Sequence, residues 1–133
     1  MIEDFNQGVA GWTDWNMVLD ENGGPNHVGN FCFAPIHVNL KDGQLNHDSD
    51  IYVTNAYHYI QHFSKYVKPE ARKIGISVSR KSIMATAFIN PDKSIVSIVL
   101  NKNNESLKYK VYLKNQMREL EIPARSMQTI IFK

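Results

Sequence analysis

The rhythm of hydrophobic and polar positions changes near Lys68-Pro69-Glu70. Beyond that point, short β-type runs alternate with turn signals at close spacing, over residues 73–79, 83–89, 94–100, 107–113, 118–122 and 128–132. Runs so spaced predict an antiparallel β-sandwich. Lys108-Tyr109-Lys110-Val111-Tyr112-Leu113 alternates, so one face of its strand should be wet. Ile95-Val96-Ser97-Ile98-Val99-Leu100 is almost wholly apolar and predicts a central strand. Asn90-Pro91-Asp92-Lys93 reads as a hairpin turn, because proline presets one dihedral and Asn and Asp tolerate the others. Asn101-Lys102-Asn103-Asn104 is the next loop, and Asn115-Gln116 a tight turn.

The first half is built differently. Met1 to Asn6 reads as the last turns of a helix, with Gly8 as its stop. Val9-Ala10-Gly11-Trp12-Thr13-Asp14-Trp15 predicts a short buried strand. A long loop then runs over residues 16–35, and a short hairpin is expected around Lys41-Asp42-Gly43. Loops of that length inside compact domains usually carry function or are disordered, and this one is too aromatic for disorder. From Tyr52 to Val67 a helix fits, with Val53, Ala56, Tyr57, Ile60, Phe63 and Val67 at three- and four-residue steps. Lys65 and Lys68 suit its C-terminal end, and Pro69 stops it. Helix end, strand, loop and helix make one β/α unit, which cannot close a core without neighbouring strands. The fold class is therefore mainly β with one α/β piece, and the chain looks like the tail of something larger.

Composition narrows the class. The 133 residues are 43% hydrophobic, enough for a core, and the formal net charge of +2 predicts no nucleic-acid footprint. The single cysteine excludes an intrachain disulfide, and Cys32 is expected to be a small buried hydrophobe. No apolar run reaches the roughly 20 residues of a transmembrane segment. The acidic, polar start is wrong for a secretory signal, so a soluble globular chain, or part of one, is expected.

Candidate chemistry gathers at Gly11-Trp12-Thr13-Asp14-Trp15-Asn16. In a β/α barrel the C-terminal ends of strands floor the active site and the following loops wall it. Two tryptophans with an Asp and an Asn suit a sugar pocket, since indole faces pack on sugar rings and polar tips meet hydroxyls. They equally suit a core pair with Asp14 capping a turn. Strand alternation would send Trp12 and Asp14 one way and Thr13 and Trp15 the other. Asp14 is the one acid well placed by the barrel rule. His58 and His62 sit four apart but have no third ligand at a recognisable spacing, and the sequence implies no metal and no cofactor. Lys65, Lys68, Arg72 and Lys73 read as a solvated basic surface.

Three blocks in order carry a resemblance. Gly11-Trp12-Thr13-Asp14-Trp15-Asn16 is followed by Gly23-Gly24-Pro25-Asn26-His27-Val28-Gly29-Asn30-Phe31 and Ala34-Pro35-Ile36. Tyr59-Ile60-Gln61-His62-Phe63-Ser64-Lys65-Tyr66 then ends the helix, with Gln61 where the pattern has glycine. The chain resembles the C-terminal part of glycoside hydrolase family 30, the glucosylceramidase (acid β-glucosidase) family. The resemblance implies the last β/α unit of a (β/α)₈ barrel in residues 1–68 and a C-terminal β-sandwich domain in residues 69–133.

It also implies a retaining β-glucosidase acting on glucosylceramide or related β-glucosides. The acid/base and nucleophile glutamates are then expected upstream of Met1, as is the rest of the barrel, leaving this chain inactive alone. Trp15 matches a tryptophan lining the glucose pocket, Asn30 an asparagine at its mouth, and Asp14 an acid that orients its neighbours. The implied partner is a β-glucoside or glycosphingolipid substrate. Compartment stays open, a secreted or periplasmic intact protein being compatible. The alternatives are a stand-alone, non-catalytic glycan-binding β-domain and a truncated remnant.

Overall fold

A computed structural model describes residues 1–25, 28–40 and 50–133, so the hairpin expected around Lys41-Asp42-Gly43 lies outside the described residues. The chain forms two compact units: residues 1–11 with 62–133, and residues 12–61.

The first unit is the β-rich one. Its strands are β4 (Arg72–Ile74), β5 (Ile83–Ile89), β6 (Ile95–Asn101), β7 (Leu107–Leu113), β8 (Gln116–Ile122) and β9 (Met127–Phe132). Strands β4, β5, β6 and β9 form an antiparallel sheet in that order, and β7 pairs with β8 as a hairpin. The expected central strand is β6, held between β5 and β9. Its alternate residues feed two cores. On one face Ile83, Ala85, Val99, Ile130 and Phe132 meet Ile122 and Leu107 of the hairpin. On the other, Phe88, Val96 and Ile98 meet Ile2 and Phe63. Ile98 and Ile122 are 0% exposed, and full burial of such a side chain contributes about 1.5–3 kcal/mol. The alternation along β7 gives half-buried and exposed residues in turn, as expected.

A helix, α1 (Ile2–Asn6), covers part of the second core. Phe5 stacks on Phe63 at 5.6 Å and meets Phe88 edge-on at 5.4 Å. Asn6 Nδ2 donates to the carbonyl of Ala85 at 2.9 Å, which ties α1 to β5. Gly8 follows with φ +95°, the left-handed conformation that suits a glycine stop.

Turns match the sequence in kind and differ in detail. At 90–93, Asn90 N–H bonds Ser94 C=O at 2.9 Å, and Lys93 takes φ +68°. Asp92 accepts from the Ser94 hydroxyl at 2.6 Å and the Ser94 N–H at 2.9 Å. Those two bonds hold its carboxyl below the usual carboxylate range. The hairpin turn falls on Lys114 and Asn115 instead of Asn115 and Gln116, with Lys114 at φ +52°. Of the run 73–79 only its start is strand, because β5 pairs with residues 72–74 alone.

The second unit holds β1 (Val18–Asp20), β2 (Ile36–Val38) and β3 (Ile51–Val53). Strand β2 pairs parallel with β1 and antiparallel with β3. Helix α2 (Asn55–Ser64) starts here and ends in the first unit. The expected helix began at Tyr52, but Tyr52 and Val53 are drawn into β3 by their pairing with His37 and Ile36. The loop expected over 16–35 contains β1 for the same reason, its partner β2 lying sixteen or more residues on. The strand expected at Val9 to Trp15 is absent: the segment is irregular and exposed. A parallel strand forms only against neighbouring strands, and none of the described strands pairs with this segment.

Candidate active site

In the second unit, Asp14 and Trp15 are joined locally. Asp14 Oδ1 accepts the Trp15 N–H at 2.9 Å, a bond that turns the backbone beneath the indole. Trp15 is 78% exposed and Trp12 37%, so neither is a core residue here. Without the strand, the alternation that separated Trp12 from Trp15 does not operate.

The loop between β1 and β2 is built around Asp20. Its backbone N–H donates to Gly24 C=O at 2.7 Å. Its Oδ1 accepts from the N–H groups of Asn22 at 2.9 Å and Gly24 at 2.8 Å. Gly23 takes φ +83°, and a Cβ there would stand 2.3 Å from the carbonyl oxygen of Cys32. Cys32 N–H in turn donates to Gly23 C=O at 3.0 Å, closing the loop on itself. The peptide between Gly24 and Pro25 is cis.

Asn30 lies within that closure, two residues before Cys32, exposed, and its carbonyl accepts the half-buried Cys32 thiol at 3.4 Å. Phe31 and Phe33 flank Cys32 and are 64% and 80% exposed. Ala34 and Pro35 are buried and end the loop. Thr54 secures them: its N–H donates to Pro35 C=O at 2.9 Å, and its hydroxyl lies 3.0 Å from Pro35 O and 3.2 Å from Ala34 O. His37 bonds across the loop to both Asp20 and Ala34.

The structure thus links Asp14 with Trp15, and places Asn30 on a separately braced loop. Among the described residues no hydrogen bond or ring contact joins Trp15 to Asn30. Thr54 and His37 escaped the sequence reading, since their partners lie far along the chain and no periodicity marks them. Elsewhere, His62 Nδ1 meets Thr129 Oγ1 at 2.7 Å, whereas His58 lies edge-on to Tyr57. Among the described residues no group of three or more His, Cys, Asp or Glu could hold a metal ion. No described helix is long and apolar enough to cross a membrane.

Comparison with known proteins extends this geometry. Residues 1–67 match the family model described as the glycosyl hydrolase family 30 TIM-barrel domain. Residues 70–130 match the glycosyl hydrolase family 30 beta sandwich domain. The chain belongs to glycosyl hydrolase family 30.

Within family 30, the chain is 35% identical over its whole length to a Caenorhabditis elegans protein named, provisionally, glucosylceramidase 4. It is 36% identical over 74% of its length to the lysosomal acid glucosylceramidase of Mus musculus. It spans 26% and 18% of the length of those two relatives. The solved structure of SrfJ from Salmonella typhimurium superposes with a TM-score of 0.90 at 30% identity, covering 99% of this chain and 28% of that one. The endo-beta1,6-glucanase BT3312 follows at a TM-score of 0.82 and 27% identity, covering 96% and 28%. The family 30 assignment carries the architecture expected from the sequence: the end of a TIM barrel followed by a β-sandwich domain.

Proposed function

We propose that these 133 residues are the C-terminal part of a retaining β-glucosidase that cleaves glucosylceramide or related β-glucosides. Residues 1–68 would close its barrel domain and residues 69–133 would form its sandwich domain. The names of the relatives support the substrate class. The observation that carries the site is Trp15, whose indole is 78% exposed on a segment where a barrel enzyme keeps its substrate contacts.

In a retaining reaction one carboxylic acid protonates the leaving oxygen while a second carboxylate, about 5 Å away, attacks the anomeric carbon. Water then releases the sugar, with the first group acting as base. In this reading both are glutamates upstream of Met1, and the isolated chain is inactive. Three acids of the second unit serve structure: Asp14 holds Trp15, Asp20 holds the loop turn, and Glu21 accepts from Asn22 Nδ2 at 3.3 Å. Trp15 packs on the sugar ring, Asn30 meets hydroxyls at the pocket mouth, and Asp14 orients Trp15.

The test is the mass of the native polypeptide, captured with an antibody to the segment from Ala71 to Lys133 and assayed on glucosylceramide and an aryl β-glucoside. A product several times heavier that hydrolyses either substrate supports the reading. A product near 15.3 kDa, the mass of the chain alone, overturns it. Saturable glycan affinity without turnover would then favour the binding-domain alternative.

A further inference from the structure

His37 sits in the middle of β2, yet both of its ring nitrogens are committed to the backbone of the neighbouring loop. Nδ1 lies 2.8 Å from the carbonyl oxygen of Asp20, and Nε2 accepts the Ala34 N–H at 3.1 Å. A carbonyl only accepts and an amide N–H only donates. Both partners therefore demand the same ring: neutral, with its proton on Nδ1 and a lone pair on Nε2.

Asp20 ends β1, and Ala34 stands two residues before β2. The imidazole consequently ties the start of the loop to its end. Ala34 is 0% exposed, leaving its N–H no ready recourse to water if the ring is lost. The edge of the same ring system meets Phe33, with centroids 5.2 Å apart at 65°. Phe33 is itself 80% exposed, so its presentation depends on few contacts. His37 thus fixes both ends of the segment that carries Asn30, Phe31 and Phe33, without being at the surface those residues present.

We infer that His37 is a positioning residue for substrate: in its Nδ1-protonated form it holds the loop so that Asn30 and Phe33 meet the bound glucoside. The inference rests on the reading that this loop walls the glucosyl site. It acts on ground-state binding, so its signature is in KM and not in kcat.

The test has two arms. In the first, ¹⁵N spectra of the histidines in the folded protein should show the His37 ring protonated on Nδ1 and bare on Nε2. His37→Phe, which keeps a ring against Phe33 and removes both hydrogen bonds, should speed exchange of the Ala34 amide. In the second arm, the polypeptide as its source makes it is assayed on an aryl β-glucoside. His37→Phe should raise KM about five- to ten-fold with kcat within about two-fold, the size expected for loss of a hydrogen bond. His37→Asn, which can still donate to Asp20 C=O, should fall between it and the unchanged protein, and it serves if the Phe variant does not fold.

A ring protonated on Nε2 overturns the inference, as does an Ala34 exchange rate that ignores the substitution. So does an unchanged KM beside faster exchange, which leaves His37 a brace with no bearing on substrate. If the native polypeptide hydrolyses no β-glucoside, the reading of the site fails and takes the positioning role with it, while the tautomer and exchange results still report the brace.

Discussion

Asn90 clamps the segment after α2 to the β5–β6 turn by meeting Lys68 and Tyr66 at once. Its Oδ1 accepts the Lys68 N–H at 3.0 Å, and its Nδ2 donates to Tyr66 C=O at 3.0 Å and to Ser94 Oγ at 3.1 Å. The side chain is 5% exposed. Asn90→Leu leaves a backbone donor and acceptor unmet in a part-buried place, and each such group costs about 1–3 kcal/mol. Urea unfolding should show a loss of about 2–4 kcal/mol for this variant. A loss below about 0.5 kcal/mol would mean that water replaces the amide fully.

Thr86 offers the opposite case. It is 0% exposed in β5, and its Oγ1 has no hydrogen-bond partner among the described residues. Thr86→Val keeps the β-branched shape and removes the unmet hydroxyl. The variant should gain about 1 kcal/mol, read as a higher urea midpoint at unchanged slope. A loss of stability would mean that the hydroxyl has a partner such as a buried water.

Tyr109 predicts an alkaline limit. Burial pushes its phenol up to about 12, and its hydroxyl donates to Gln128 Oε1 at 2.6 Å. The ordinary value is about 10. The folded state thus retains a proton that the unfolded chain releases, so the contribution is complete below about pH 10 and is lost as pH rises toward 12. Tyr109→Phe should flatten the fall in stability over that window, and tyrosinate absorbance should lose its latest-titrating component.

Gly23 should tolerate no side chain. Gly23→Ala puts a Cβ 2.3 Å from Cys32 O at a φ of +83°. The loop must open at that point, so exchange of the Cys32 amide should rise at least about ten-fold. Unaltered exchange would mean that the closure between Gly23 and Cys32 is not needed to hold the loop.

For the site itself, Trp15→Ala in the native polypeptide should lower kcat/KM for glucosides by about ten-fold or more while folding persists, since the indole is 78% exposed. Unchanged kinetics would remove Trp15 from the site.

What could be read from sequence follows the range of the forces involved. The bounds of Ile83–Ile89 and Leu107–Leu113 were legible because alternation and flanking turns are local. The helix that begins at Asn55 and not Tyr52 was not, since β3 depends on a partner fifteen residues back. The strand expected through Trp12 and Trp15 had the right composition, but composition does not supply the neighbouring strands. The bond between Asp14 and Trp15 was not legible, since alternation along the expected strand set the two on opposite faces and the segment forms no strand. His37 and Thr54 act through Ala34, Pro35 and Asp20, and only folding brings those groups within reach.

The sheet order of the first unit also sets a timetable. Strand β6 is central, yet one of its two partners, β9, comes last among the described strands. A ribosome releases β5 and β6 as a ready hairpin, then must deliver β7, β8 and their turn before Ile130 and Phe132 can seal the shared core. Until then β6 carries an open edge, and a premature stop before Met127 would leave that edge permanently unguarded.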